Sequence, residues 1–592
     1  MKQIYKVLLV LGIFLIGLRT VGQVRITNEE ELELLRATPL ETIYLHSNAT
    51  LFFPGEYLYY SLYTINTQTY RLSDISKVAY VQLIGERGKV VFTQKVSLDG
   101  GKGQGDYFFP TDLPSGNYKL VGFTHWMKNA GISQFFMSDL TFLNPYRSDQ
   151  NVFLSDGTRA DSCPPGSAED TEDEEGSSNS ELGLVLEITS FAPGEAARIR
   201  LRNYKGALGH GTYSLSIRKV DEFPAAGHIP ATKFSSRYPD LQQTIPQRVN
   251  DILAIPEQRG ELISGRVFEK DTKTPLRGRM LALSLPGANF QIKKALTDLE
   301  GKFYTYVTRP FQEQSGIVEQ LPPGRAPGTF EWNSPDRWEG NIHCFYHFEL
   351  KEDMKEAIRK RSIHNQIENS YFEVKPDTLQ APEASGPFEG EKPIIYQLED
   401  YTRFPTLRET IIEILENVWI KREDAKTDNI MVYLPGETAA GQFGSTRAMV
   451  VADGILVPDH GAFLEYDARK ISTVKVIRQK YLLGGTEYNG VLVVETLDRQ
   501  YEADWESEYG ARFPYLPPVP LKSYFRQGKP DAHIPDFRYQ LLWEPNMQLD
   551  GPGETVSFYT SQVPGRYEIV LEGFTTYGKP ISLKAYIEVK EE

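Results

Sequence analysis

Cysteine is nearly missing: the 592 residues include two, Cys163 and Cys344. That excludes a disulfide-knit scaffold and any cysteine-rich metal site. The two are left open as a bridge or as separate thiols. Positive charge is also short, 64 Lys and Arg against 79 Asp and Glu for a net charge of -15. Like charge repels before contact, so a nucleic-acid backbone is disfavoured as partner. Beyond the N-terminus no apolar run approaches the roughly 20 residues of a membrane helix. Catalytic motifs are wanting too. No G-x-S-x-G elbow occurs, and LLGGTEYNG lacks the Gly-Lys-Ser/Thr ending of a phosphate loop.

What is present reads as exported β structure. Lys2 and Lys6 precede the apolar run Val7 to Leu18, which as a helix spans about 18 Å, short of a roughly 30 Å bilayer core. Thr20 and Gly22 suit cleavage before Gln23, so residues 1–22 are expected to be a signal peptide and the mature chain to lack a transmembrane span. The 33 Tyr and 31 Phe favour strands. Residues 151–182 read as a linker, because the acidic run Glu169 to Glu175 repels itself and lacks the spacing of a calcium loop.

One stretch recurs: Pro-Gly-Glu at Pro54, Pro193 and Pro552, each ahead of a strand-like run. Proline presets the second position of a turn and glycine supplies the positive φ that a type II turn needs next. After Pro193-Gly194, Ala197, Ile199 and Leu201 alternate with Arg198, Arg200 and Arg202, giving one buried and one wet face. After Pro54-Gly55, LYYSLYT is apolar on both faces and predicts a strand covered on both sides. Pro435-Gly436 is not followed by alternation and is not counted. A second signature is a turn followed by a Tyr-led strand, at Tyr118, Tyr213 and Tyr567. In the last, Tyr567, Ile569 and Leu571 face inward, with Glu568 and Glu572 on the opposite face.

Three β-sandwich modules account for these repeats: 23–150, 183–258 and 501–592. Between them, 259–385 reads as a β-domain with an extension. The segment 386–500 reads as a small α+β unit. Its helix begins in a capping box, Thr406 with Glu409, and carries Leu407, Ile411, Ile414, Leu415 and Val418 as one apolar stripe. The fold class is thus mainly β, with tandem sandwich modules and one α+β domain.

AYVQLIGERGKVVFTQKVSL with LPSGNYKLVGFTHWMKNAG resembles a macroglobulin-type domain, as in α-macroglobulins and large exported proteins of the Bacteroidota. ISGRVFEKDTKTPLRG with ALTDLEGKFYTY resembles the carboxypeptidase regulatory-like domain. TLRETIIEIL, VADGILVPD and ISTVKVIRQKYLLGGTEYNGVLVVET resemble the plug domain of TonB-dependent outer-membrane receptors. These resemblances cover 41–145, 261–308 and 400–497. About 95 residues follow Thr496, too few for the receptor's barrel, so this chain is not itself the pore. The Cys-Gly-Glu-Gln thioester of protease-trapping macroglobulins is missing around Cys163 and Cys344, which excludes covalent trapping on that resemblance.

Few residues invite chemistry. His343 and His347 flank Cys344 where a zinc protease would need glutamate, and on a strand they would stand about 13 Å apart, too far for one ion. Asp453-Gly454 reads as a hairpin turn rather than a catalytic carboxylate. His125 and Trp126 with Tyr57, Tyr59 and Tyr63 could line an aromatic ligand groove or simply pack modules together. No catalytic, cofactor-binding or metal-ligating residue is assigned, and no cofactor is expected. The module resemblances imply a non-enzymatic exported scaffold or accessory subunit of an outer-membrane protein complex, in the periplasm or at the outer membrane. A cell-surface ligand-binding or adhesive protein is the alternative, and a hydrolase with an unrecognised site the third.

Overall fold

The computed structural model describes residues 23–591 apart from 26–28, 154–177, 242–251, 322–326, 335–341, 381–387, 389–391, 424–426, 437–445 and single positions 288, 310, 312, 343 and 532. The expected leader, Cys163, the acidic run Glu169–Glu175 and His343 lie outside the described residues. The chain divides into two compact units. One holds Val24–Gln258, Asp336–Ala381 and Pro518–Glu592, and the other holds Arg259–Pro335 and Pro382–Pro517. Strands dominate both, and no helix among the described residues is long and apolar enough to cross a membrane.

In the first unit, a sandwich forms from β1 (Glu41–Ser47), β2 (Leu51–Phe52), β3 (Tyr57–Asn66), β4 (Val78–Gly85), β5 (Val90–Ser97), β6 (Lys102–Phe108), β7 (Gly116–Phe123) and β8 (Phe136–Phe142). One sheet runs β1-β3-β6 and the other β2-β8-β7-β4-β5. The Pro-Gly-Glu stretch enters β3 as expected. Gly55 has φ +85°, Glu56 N–H donates to Phe53 O at 3.2 Å, and the Glu56 carboxylate accepts the Phe53 N–H at 3.1 Å. The glutamate of the motif therefore closes its own turn. β3 is the middle strand of its sheet and is covered on both faces from Tyr60 to Ile65, as its doubly apolar sequence predicts.

A second sandwich starts with β9 (Leu182–Val185), β10 (Ser190–Phe191), β11 (Ala196–Asn203) and β12 (Gly211–Lys219). It is completed only near the C-terminus by β13 (Gln540–Leu549), β14 (Gly553–Tyr559), β15 (Gly565–Thr575) and β16 (Pro580–Val589). Its sheets run β9-β11-β14 and β10-β16-β15-β12-β13. The stretches 183–258 and 501–592, expected as separate modules, thus supply the two halves of one sandwich. Either half alone would leave an apolar face open. Together they bury Ile199, Leu215 and Ile217 with Leu542, Phe558, Ile569 and Leu571 in one core.

The two copies of the motif on this sandwich diverge. At Ala192–Glu195 the turn repeats in detail: Gly194 has φ +71° and the Glu195 carboxylate accepts the Ala192 N–H at 2.7 Å. Gly553 instead lies inside β14, paired with Arg202, so the third copy is a strand start and not the same turn. Pro435-Gly436, set aside earlier, does turn, with Gly436 at φ +80°. There the dipeptide turns the chain although no alternation follows it in sequence.

The Tyr-led strands share a cause. Tyr118, Tyr213 and Tyr567 each donate a hydroxyl to the carbonyl four residues upstream, on Pro114, Gly209 and Val563, at 2.7, 3.0 and 2.8 Å. Each ring packs inward while its oxygen ties down the preceding corner, the arrangement called a tyrosine corner.

The other unit contains a sandwich and an α+β sheet. Strands Glu261–Glu269, Lys302–Val307 and Gly328–Trp332 form one sheet of its sandwich. Met280–Leu285, Gln291–Leu296, Ser315–Leu321 and Gly510–Pro514 form the other. Gly510–Pro514 falls inside the stretch expected for the C-terminal module, yet it pairs with Ser315–Leu321. In the α+β part, Thr406 caps the helix Leu407–Glu413 by accepting the Glu409 N–H at 3.3 Å. The helix is shorter than its apolar stripe, because Asn417 at φ +64° turns the chain and Val418 begins a strand. Asp453-Gly454 forms the hairpin turn expected and Gly484-Gly485 forms another, all four residues with positive φ.

Candidate functional site

The sequence candidates do not converge. Trp126 and His125 are fully buried; the indole N–H donates to Pro39 O at 2.8 Å, and its ring packs with Leu40 and Leu253. Tyr63 is buried between sheets, while Tyr57 and Tyr59 are half-buried and stack on each other at 5.6 Å. The five residues proposed to line one groove therefore split between a core and a surface. Trp126 is unavailable to a ligand because Leu40, Leu253, Leu35, Ile75 and Ala130 enclose it. His347 is exposed on a segment with no regular strand, and Cys344 beside it is disulfide-bonded. The chain's one other cysteine is Cys163. Among the described residues no three His, Cys, Asp or Glu side chains come close enough to share a metal ion. Asp453 is buried under its turn, where its carboxylate accepts the N–H groups of Thr496 and Tyr501 at 2.8 and 3.1 Å.

The first unit does assemble a grouping with the residue types of a hydrolase. His46 of β1 places Nδ1 2.6 Å from Ser214 Oγ of β12. The His46 ring lies 5.2 Å from that of His228 and 5.1 Å from Trp543 of β13. His228 Nε2 is 3.5 Å from the Glu572 carboxylate of β15 and 3.4 Å from the Tyr44 hydroxyl. Glu572 also accepts the Ala231 N–H at 2.8 Å and the Ser582 hydroxyl at 2.7 Å.

Geometry decides against nucleophilic chemistry. A catalytic serine must be reached by substrate, with its base able to take a proton. Ser214 is 0% exposed and His46 and Glu572 are each 1% exposed. Burial, reinforced by His228, holds the His46 ring well below the usual histidine range, which disfavours the proton-accepting step. The carboxylate serves the second histidine and two backbone or hydroxyl donors, not the one beside the serine. Two open depressions, along Ala503–Glu508 with Arg512 and around Lys219–Glu222 with Pro564–Arg566, contain none of these groups.

The grouping is instead a polar seam between the two sandwiches of this unit. Around it Ser61 donates to Pro545 O at 2.9 Å, Tyr63 to Glu572 O at 3.4 Å, and Asn48 to Gln540 at 3.1 Å. Phe574 packs edge-on against Tyr44 at 5.8 Å. Buried polar groups are tolerated when each finds a partner, and such pairs fix one relative position of the packed faces. Glu572, on the strand face opposite Ile569 and Leu571, is buried because the first sandwich covers that face.

A second seam holds the helix α1 (Lys355–Ser370) to the same body. Arg361 donates to both Glu56 carboxylate oxygens at 2.7 and 2.9 Å, to Leu51 O at 3.2 Å and to Asp221. Asn365 adds a bond to Glu56 at 3.0 Å, and the guanidinium lies 4.5 Å over the Phe53 ring. Burial alone would raise the Glu56 pKa; Arg361, Arg218 and Asn365 overcome it and hold the carboxyl below its ordinary value. Sequence pattern could not pair these residues, since Arg361 and Glu56 lie 305 positions apart.

No family model matches the chain, and no curated protein matches it. Among solved structures it is similar to the α-2-macroglobulin of Salmonella reacted with methylamine, at 8% identity, TM-score 0.23, covering 96% of this chain and 41% of that one. It is similar also to the elastase-activated α-2-macroglobulin of Escherichia coli, at 9% identity, TM-score 0.22, covering 93% and 44%. A third is dimeric latent PorU of Porphyromonas gingivalis, at 8% identity, TM-score 0.16, covering 50% and 33%. The chain spans about two fifths of the length of the macroglobulins it matches. Scores of this size carry no statement about the fold or activity of this chain.

Proposed function

We propose that the protein is a non-enzymatic, exported scaffold or accessory subunit that works through protein contact at the outer membrane. The observation that carries this reading is the use made of its buried polar groups. Ser214, His46, His228 and Glu572, and likewise Glu56 and Arg361, are spent on fastening sandwiches and helix into one body, with the serine closed to solvent. A rigid body of this kind suits the spacing and orientation of other proteins better than turnover of a substrate. The plug-like resemblance of 400–497 motivates an outer-membrane partner, and the leader-like N-terminus motivates export. Affinity purification from crosslinked, detergent-solubilised envelopes tests it. The expected result is co-recovery of an outer-membrane protein in a fixed ratio to the chain; recovery of this chain alone would contradict a subunit role.

A further inference from the structure

β11 sets Arg198, Arg200 and Arg202 on one face of its sheet, and all three are exposed while Ala197, Ile199 and Leu201 between them are buried. β11 is the middle strand of β9-β11-β14, so the row lies on a sheet surface and not at an edge. Its cross-strand neighbours on the same face are small or uncharged: Ser557, Thr555 and Gly553 on β14, Val185 and Gly183 on β9. Tyr204 continues the row, half-exposed, with its ring over Gly183. No ion pair to a described carboxylate engages any of the three arginines, although the chain as a whole has a net charge of -15. Elsewhere in the first unit Arg361 and Arg538 are paired to carboxylates.

Three guanidiniums without a described carboxylate partner, on alternate residues, repeat at about 6.8 Å. The same repeat separates alternate side chains of any extended peptide, so carboxylates at every second position of such a peptide come into register with the row. Guanidinium binds carboxylate through two parallel hydrogen bonds, and the small neighbours leave room for a chain to lie along the row. Nucleic acid is repelled by the overall charge. We propose that the outer face of β9-β11-β14 is a docking surface for an extended acidic peptide segment of a partner protein, with Arg198, Arg200 and Arg202 each taking one carboxylate.

The test uses the full chain and a fluorescently labelled synthetic peptide of alternating glutamate and threonine. Anisotropy is expected to show saturable binding that weakens as salt rises. Neutralising the row in R198Q/R200Q/R202Q is expected to weaken it by about tenfold or more, with unchanged thermal unfolding because all three side chains are exposed. Reversing it in R198E/R200E/R202E is expected to abolish binding of the glutamate peptide and create binding of the lysine counterpart. Equal binding by the neutralised variant, or no binding by the natural chain, would overturn the proposal. So would a sulfated polysaccharide that binds the row while the peptide does not. A variant with Glu172, Asp173, Glu174 and Glu175 neutralised that binds the peptide much more tightly would place the chain's own acidic run on the row, and would overturn an external occupant.

Discussion

At Phe53–Glu56 and at Ala192–Glu195 the backbone makes the same turn, and in each the glutamate carboxylate accepts the N–H that opens it. Their surroundings differ. The Glu195 carboxylate stays exposed and serves its own turn, with only the Glu195 backbone bonding to distant Thr560, whereas the Glu56 carboxylate is buried and also receives Arg361, Asn365 and Arg218. At these two positions the local stretch makes the bend, although the copy at Pro552 does not repeat it. What the carboxylate does beyond the bend is set by a helix hundreds of residues away. The first copy has become a structural joint, and the second has remained a turn.

The widest gap between the copies should come from Arg361→Ala. It leaves the buried Glu56 charge without its main partner, and loss of one member of a buried pair costs about 3–5 kcal/mol. Chemical denaturation of the whole chain would measure it, and a loss no larger than that of Glu195→Ala would remove the distinction. Acid sharpens the same contrast. Glu56 has a depressed folded pKa, so its contribution is present above the ordinary carboxyl range and is lost as pH falls through and below about 4.5.

Histidines set a second acid window, higher in pH. His46 is held far below the usual value by burial and His228, and His125 is pushed down to about 3 by burial and Lys128. A neutral buried histidine binds fewer protons than it does unfolded. Stability is therefore complete above about 6.5 and declines as pH drops below it, before Glu56 begins to protonate. His46→Asn is expected to flatten the decline between about pH 6.5 and 5 in a pH series of thermal unfolding. An unchanged slope would mean that His46 does not contribute.

Smaller effects follow at the corners and at the second turn. Tyr567→Phe removes one buried hydroxyl from Val563 O and should cost about 1–2 kcal/mol. Glu195→Ala removes one exposed capping bond and should cost about 1 kcal/mol or less by the same assay. Were the two equal, burial would not be what separates corner from turn.

Local chemistry was legible from residues alone. The turns at Pro54 and Pro193, the hairpins at Asp453-Gly454 and Gly484-Gly485, and the three Tyr-led strands all follow from short-range rules of φ, hydrogen bonding and alternation. What covers a finished face was not. Alternation put Glu572 opposite Ile569 and Leu571, and it is, but the first sandwich lies over that side and buries it. Trp126 could be read as a ligand platform or as packing, because nothing near it in sequence shows that Leu40 and Leu253 enclose it. The division of one sandwich between 182–219 and 540–589 was hidden for the same reason: each half has the periodicity of a complete module. The Ser214–His46 contact joins residues 168 positions apart and carries no local signal.

Whether that contact is a seam or a reactive centre is open to one direct measurement. The folded protein would be incubated with a broad fluorophosphonate probe at neutral pH and digested, and the peptide bearing Ser214 read by mass spectrometry. A sealed seam predicts an unmodified Ser214 peptide in the native protein at every probe concentration. A stoichiometric adduct on Ser214 of the native protein, lost in His46→Asn, would establish an accessible nucleophile and contradict the account.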